Sequence, residues 1–390
     1  MSPDLFDIFG AFLRLGVTSF GGPVAHLGYF RKEFVLRRKW LDEHAYADLV
    51  SLCQFLPGPA SSQIGMALGL SRGGWMGAFL AWIGFTLPSA ILLVLFGTGF
   101  RHFQSGTESW LQGLEIASVA VVAQAVWSMG RPHVRDWRRV LLILVCAGAA
   151  LSIPFPWMQV LIIAAGGAFG FAFFEASGSL PHEPLRNIPG RNAGFFLLFS
   201  FLFLLFFLPI LASRSGSDTV RFFESFYRAG SLVFGGGHVV LPLLQSLVVP
   251  QGWVSNEEFL AGYGAAQAVP GPLFTFAAYL GAVSSRAPSG WIGGMIALVA
   301  IFLPSFLLVA GVLPFWEKLR SFPAIRRGMS GVHCAVSGLL LAAFCHPVCT
   351  TGIRSGFDFW LAVLGFLMLS KTPSWAVVLS IALIKGIVEP

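Results

Sequence analysis

The sequence predicts an all-α polytopic membrane protein made of two inverted-topology repeats, each with broken or re-entrant helices. Three observations carry that expectation. Hydrophobic residues make up 56% of the 390-residue chain and charged residues only 11%, and mean hydropathy is +0.76. A soluble domain carries about 25% charged residues. An ordered set of motifs occurs twice along the chain. Basic-rich and basic-poor loops exchange places between the two copies.

Composition comes first. A soluble fold could not hide this much apolar surface. Lipid allows only helices or a closed barrel to cross, and unbroken runs such as Phe195 to Leu211 suit helices rather than alternating strands. Thirteen apolar segments are expected, near 5–30, 45–70, 74–100, 108–130, 139–152, 155–175, 193–212, 219–248, 258–284, 290–316, 322–345, 356–370 and 374–388. Residues 176–192 are polar and rich in Pro and Gly, as a linker would be. The expected organisation is an N-terminal membrane repeat over 1–175, the linker 176–192, a connecting helix over 193–212 and a C-terminal inverted repeat over 213–390. The opening Met-Ser-Pro-Asp-Leu-Phe-Asp has no basic n-region and no small-residue cleavage site, so no removable signal peptide is expected.

The repeat is read from matched positions. Gly16-Val-Thr-Ser-Phe-Gly-Gly22 aligns with Gly230-Ser-Leu-Val-Phe-Gly-Gly236, and Trp40 with Trp253. Gln54-Phe-Leu-Pro-Gly-Pro59 aligns with Gln267-Ala-Val-Pro-Gly-Pro272, and Phe85-Thr-Leu-Pro-Ser89 with Ile301-Phe-Leu-Pro-Ser305. Gly113 matches Gly328 and Pro132 matches Pro347. The order is kept and the spacing drifts by only a few residues, the pattern of an internally duplicated transporter or channel.

Charge sets the relative orientation. The loop 31–44 holds Arg31, Lys32, Arg37, Arg38 and Lys39, whereas its counterpart 249–257 has no Lys or Arg. Arg131, Arg135, Arg138 and Arg139 face a counterpart that keeps only Arg354. Arg101 stands alone, whereas its counterpart loop has Lys318, Arg320, Arg326 and Arg327. By the positive-inside rule, the two repeats lie in opposite senses. Three apolar segments separate the two basic loops of the first half, so one of them fails to cross. The Pro-Gly-Pro segment is the expected hairpin, and the Phe-Gly-Gly segments are expected to be incomplete spans as well.

These breaks are where chemistry is expected. Gly admits backbone shapes closed to other residues, and Pro removes an N–H. An unpaired backbone group costs several kcal/mol in lipid unless protein or water satisfies it. Breaks at matched places therefore imply a cavity, and the exposed N–H groups of helix N-termini bind anions. The helix-breaking residues are Pro23, Pro57, Pro59, Pro270 and Pro272. Expected backbone donors are Gly21, Gly22, Gly58, Gly235, Gly236, Gly237 and Gly271. Ser19, Gln54, Ser61, Ser62, Gln63, Gln267 and Thr275 add hydroxyl and amide groups that can hold an oxyanion. Tight helix packing through glycine is the bland alternative. Arg14 and Arg228 each precede the matched Gly by two residues and would supply positive charge; snorkelling to the interface is their alternative. His26 and His238 are candidates for substrate binding and, with Glu115, for proton coupling. Packing or capping competes for the histidines, and Glu33 among five basic residues reads as a local ion pair.

Other classes find little support. The chain lacks a Gly-x-Ser-x-Gly elbow, a Walker loop and His-Glu-x-x-His, so it is not expected to be an enzyme. Without an ATP site, transport would run on an ion gradient or the substrate's own. The +7 net charge sits in short loops and reads as topology rather than nucleic-acid binding. Cys345-His-Pro-Val-Cys349 lacks a second ligand pair and reads as packed thiols, and no metal or cofactor is expected.

Phe20-Gly-Gly-Pro-Val-Ala-His26, Arg38-Lys-Trp-Leu41 and Leu56-Pro-Gly-Pro59 with Gln63 and Gly69 resemble the N-terminal half of the chromate ion transporter family. Phe234-Gly-Gly-Gly-His238 and Gln267-Ala-Val-Pro-Gly-Pro272 resemble its C-terminal half. The resemblance covers nearly the whole chain apart from the linker and the Phe-rich seventh segment. It implies a long-chain, two-domain member in a bacterial cytoplasmic membrane that exports chromate, confers chromate resistance and draws on the proton-motive force. Sulfate, a tetrahedral dianion of similar size, is the expected competitor. An exchanger of another such oxyanion and a passive anion channel are the alternatives. The lipid bilayer and a second copy of the chain are the other partners it allows. Pro23 is replaced by Gly237 in the second half, and His26 has no symmetric twin.

Overall fold

The computed structural model describes residues 3–20, 22–102, 108–131, 136–152, 158–175, 188–233, 240–320 and 322–388. These residues form helices and their connections, with no strand among them. The first apolar segment is two helices, α1 (Pro3–Thr18) and α2 (Gly22–Phe30), divided at the Phe-Gly-Gly motif. A π-helical stretch, Arg31–Arg37, continues from α2. The second segment is divided at Pro-Gly-Pro into α3 (Glu43–Phe55) and α4 (Ala60–His102). The expected breaks are therefore present in the first half.

The helices α5 (Glu108–Gly130), α6 (Trp137–Ser152) and α7 (Met158–Phe173) complete that half. The expected linker lies largely outside the described residues, and α8 (Arg191–Ser215) begins just inside its C-terminal end. Then follow α9 (Asp218–Leu232), α10 (Val240–Val248), α11 (Asn256–Ala268), α12 (Phe276–Ala282) and α13 (Gly290–Arg320). The chain ends with α14 (Pro323–Ala343), the single turn α15 (Thr350–Gly352), α16 (Gly356–Met368) and α17 (Ser374–Val388).

Four of the described stretches are long and apolar enough to cross a membrane: Ala60–Gly99, Arg191–Ser215, Gly290–Trp316 and Pro323–Gly352. Within the first of them, Gly73 and Gly74 leave helical geometry, with φ of −133° and +60°. The chain folds back there, and a Cβ on Gly69 would lie 2.8 Å from the Cβ of Ala81. The second half repeats the hairpin between α12 and α13, where a Cβ on Gly281 would lie 2.8 Å from the Cα of Gly294. Side chains larger than hydrogen would force these arms apart.

The helices group into two compact units, each drawing on both halves of the chain. One holds α1 to α3, most of α4, α8, α9, α12 and α13. Its core centres on Phe12, Phe30, Phe34 and Phe85, with Phe12 and Phe34 ring centroids 4.9 Å apart and Phe30 and Phe85 5.1 Å apart. Such pairs contribute about 0.5–1.5 kcal/mol beyond area burial. On α8, Phe195, Phe196, Phe199 and Phe206 are exposed, as suits a lipid-facing helix.

The other unit holds α5 to α7, α10, α11 and α14 to α17. Here α14 packs between α6 and α7 through Cys146, Cys334, Ala335 and Leu339. All five cysteines are free thiols, and among the described residues no group of His, Cys, Asp and Glu is arranged to hold a metal ion.

The basic loop is tied down by an acid. Glu33 accepts from Arg38 Nε at 2.6 Å and from Arg37 Nη1 at 3.1 Å. Burial alone would raise its carboxyl, but the hydrogen bonds and charges of Arg38 and Arg37 outweigh that and hold it below the usual carboxylate range. The ion-pair reading of Glu33 is the one the structure has.

Candidate functional site

Helix α3 ends at Phe55, and Leu56 turns the chain into extended geometry before Pro57-Gly-Pro59. Two prolines remove the N–H donors that would continue the helix, and Gly58 adopts φ +118°. In the second half, α11 ends at Ala268, and Gly271 adopts the matching φ of +105° between Pro270 and Pro272. Each glycine keeps its N–H, and each donates it to the break of the opposite half. Gly58 N–H reaches the Val233 carbonyl at 2.6 Å, and Gly271 N–H reaches the Ser19 carbonyl at 2.9 Å. Both bonds lie inside the first compact unit, so the two repeats are braced crosswise through their interruptions.

The glycines are also where a serine of the other half comes closest. A Cβ on Gly58 would lie 2.6 Å from Ser305 Oγ, and one on Gly271 would lie 2.7 Å from Ser89 Oγ. Ser89 and Ser305 occupy the matched Leu-Pro-Ser positions. The arrangement therefore has an approximate twofold relation at residue level: Gly58 with Ser305, Gly271 with Ser89.

Directly after each motif a helix starts. The first turn of α4 carries Ser61, Ser62 and Gln63, all buried, and a short 3₁₀ turn, Leu273–Thr275, leads into α12. Gln63 Nε2 donates to the Pro57 carbonyl at 2.6 Å, and Thr275 Oγ1 donates to the Pro272 carbonyl at 2.7 Å. His26 is 1% exposed, with Nε2 3.2 Å from the Ser19 carbonyl and Nδ1 3.4 Å from Ser61 Oγ. Its ring stands edge-on to Phe85. Ser19, the first break and the first turn of α4 are thus joined through one imidazole.

Among the described residues, several polar atoms here are buried without a partner: Ser19 Oγ, Ser62 Oγ, Gln63 Oε1 and Ser305 Oγ. A buried hydroxyl that makes no bond costs about 1–3 kcal/mol, and most buried polar groups have partners. These three hydroxyls and the N-terminal turn of α4 are uncharged groups of the kind that can donate hydrogen bonds to a small oxyanion.

The remaining sequence candidates divide. Arg14 is exposed on α1, and Gln54 is exposed near the end of α3. Arg228 is half-buried and paired with Glu224, Nε to Oε1 at 3.0 Å. Gln267 is buried in the second unit, where its backbone carbonyl accepts from Ser374 Oγ at 3.4 Å, while its Nε2 has no partner among the described residues. Gly22 begins α2 with φ +74°. Gly21, Gly235, Gly236, Gly237 and His238 lie outside the described residues. Glu115 is buried on α5 and paired with Arg354 at 2.8 Å. Sequence reasoning missed Glu224, Ser89 and Ser305 as site residues; the matched Leu-Pro-Ser motifs held the signal for the serines.

Comparison with known proteins agrees with the duplicated layout. A model described as chromate transporter matches residues 6–171 and again 220–387. The chain belongs to the chromate transporter family. As a member with several apolar spans it is a multi-pass membrane protein. This family member is similar to a probable chromate transport protein of Synechococcus elongatus, 28% identical over 93% of this chain and 88% of the relative. It is also similar to a chromate transport protein of Pseudomonas aeruginosa, 28% identical over 86% of this chain and 79% of that one. An uncharacterized transporter of Bacillus subtilis is 31% identical over 40% of this chain but 85% of its own length, as a single repeat would be. No solved structure matches at a significant level.

Proposed function

We propose that this family member is a secondary active transporter that exports chromate across the bacterial cytoplasmic membrane and so confers chromate resistance. The observation that carries the reading is the crosswise brace of the two Pro-Gly-Pro breaks with its unpartnered hydroxyls. The dianion binds there, held by the N–H groups at the start of α4 and by Ser19, Ser61, Ser62, Ser305 and Thr275. Neutral donors suit a cargo that must also leave, since they avoid a permanent buried charge. Arg14 draws the anion from water, and Arg228 exchanges between Glu224 and the passing charge. The relatives' names supply chromate as the cargo.

The exchange of basic loops between halves supports two repeats of opposite orientation. In that arrangement the repeats rock about the brace and open the site to each side in turn. In this reading Gln54, Gly22 and His26 of the first unit add contacts to the cargo.

Purified protein in liposomes tests this. Labelled chromate should move with saturable kinetics, sulfate should compete, and the gene should restore growth of a sensitive bacterium on chromate. Currents that do not saturate would favour a passive anion channel. Sulfate uptake that chromate leaves unaffected would favour an exchanger of another tetrahedral oxyanion.

A further inference from the structure

The second compact unit buries a cluster of charges that the anion site does not use. Asp358 and Lys385 are 0% and 1% exposed and meet at 2.9 Å. Asp358 also accepts from the backbone N–H groups of Arg354 at 3.0 Å and Ser355 at 2.9 Å, and from Gln112 Nε2 at 3.1 Å. It closes a capping box at the start of α16. With four donors it is held as a fixed anion that joins α5, α16 and α17.

Glu115 lies one turn from Gln112 on α5 and is held differently. Its side chain is 3% exposed, and its hydrogen-bond partner is Arg354, whose side chain is 49% exposed. The nearby charges add repulsion: Asp358 stands on α16, and Glu257 on α11, which packs against α5. Lys385 on α17 is engaged by Asp358. The segment that carries Arg354 presses on the Glu115 backbone, since a Cβ on Gly352 would lie 3.1 Å from the Glu115 carbonyl. It follows an irregular break at His346, where φ is −149° and ψ 121° inside a π-helical turn. His346, whose Nδ1 lies 3.2 Å from Thr350 Oγ1, is the histidine on that segment.

We infer that Glu115 is the binding site of the coupling proton and that Arg354 is its displaceable counter-ion. A buried carboxylate needs either its partner or a proton. Water reaches the exposed part of Arg354 and delivers the proton to Glu115. The neutral acid no longer holds the guanidinium, and the segment after His346 is released. On the opposite side the proton leaves and Arg354 returns. Asp358 and Lys385 stay paired throughout and keep α16 and α17 in register. The inference rests on the reading of the chain as an ion-coupled transporter, and it adds the counter-ion and the segment through which the proton acts.

The experiment compares wild type, Glu115→Gln, Arg354→Gln and the double variant in proteoliposomes. Two readouts are taken: chromate exchange at equal pH on both sides, and uphill chromate accumulation driven by a pH gradient. Both single variants and the double variant are expected to keep exchange and lose uphill accumulation. Uphill accumulation retained in Glu115→Gln overturns the inference while leaving the transport reading intact. Restoration of accumulation in the double variant also overturns it, because that outcome marks a merely structural ion pair. Wild-type protein that exchanges but never accumulates sinks the coupled-transport reading itself. If Glu115→Gln does not reach the membrane, Arg354→Gln carries the test, since loss of the counter-ion favours the protonated acid in the same way.

Discussion

Replacing Gly58 by Ala isolates the brace between the halves. The residue has φ +118°, which an L side chain rarely adopts. Holding a non-glycine residue in such a region costs about 1–3 kcal/mol. The new methyl would lie 2.6 Å from Ser305 Oγ and 2.7 Å from Gln63 Nε2, well inside contact distance. Overpacking of that kind adds about 1–3 kcal/mol. A total of about 2–6 kcal/mol falls on a site that also holds the 2.6 Å bond to Val233. Each 1.4 kcal/mol is about a factor of ten if it falls on the transport-competent state, so chromate flux in liposomes should fall at least tenfold. The apparent melting temperature in detergent should drop by several degrees. Adding Ser305→Ala removes the nearest clash but not the backbone strain, so the double variant should recover part of the melting temperature and not all of it. Gly58→Ala with wild-type melting and flux would refute the tight crossover, and full recovery in the double variant would refute the backbone component.

Three further outcomes are expected. Ser62→Ala and Ser305→Ala each remove a buried hydroxyl that has no partner among the described residues. Thermal stability should hold or rise, while chromate half-saturation increases by about twofold to tenfold, the worth of one hydrogen bond; unchanged half-saturation in both would detach these serines from the cargo. Lys385→Met leaves Asp358 buried beside an uncompensated gap, and breaking a buried pair from one side costs about 3–5 kcal/mol. That variant should melt markedly lower, whereas Arg31→Met, which breaks a half-exposed pair with Glu43, should melt as wild type does. Glu33 is held below its ordinary range, so its contribution is fully present above the unfolded value of about 4.3. It is lost as pH falls through the lower folded value. The stability gap between wild type and Glu33→Gln should be constant from neutral pH to about 5 and close below it; a gap that opened on acidification would contradict the ion-pair geometry.

Much of this was legible in the residues. The breaks at Phe-Gly-Gly and Pro-Gly-Pro were readable because Gly and Pro act locally: the missing N–H and the permitted positive φ belong to the residue itself. The segments that became α5, α13, α16 and α17 were readable as long apolar runs. The turn at Gly73–Gly74 was readable as a gap between apolar segments, although not as a fold-back. Family membership was readable because the motifs keep their order over nearly the whole chain.

Partnership was not legible. Arg14 and Arg228 hold equivalent sequence positions, yet one is exposed and the other is paired with Glu224. An exposed face and a buried one cannot be told apart from hydropathy when lipid is as apolar as the core. Asp358 and Lys385 lie far apart in sequence within short apolar helices, and only the packing of α16 against α17 joins them.

By itself the sequence determined the helical membrane architecture, the duplication and the places where helices stop, because each follows from composition and from local backbone chemistry. The tertiary structure alone decided that Gly58 bonds to Val233 and Gly271 to Ser19, and that helices of both halves mix in each compact unit. Those contacts join residues from opposite halves of the chain, and which polar group meets which is settled by packing rather than by any local preference.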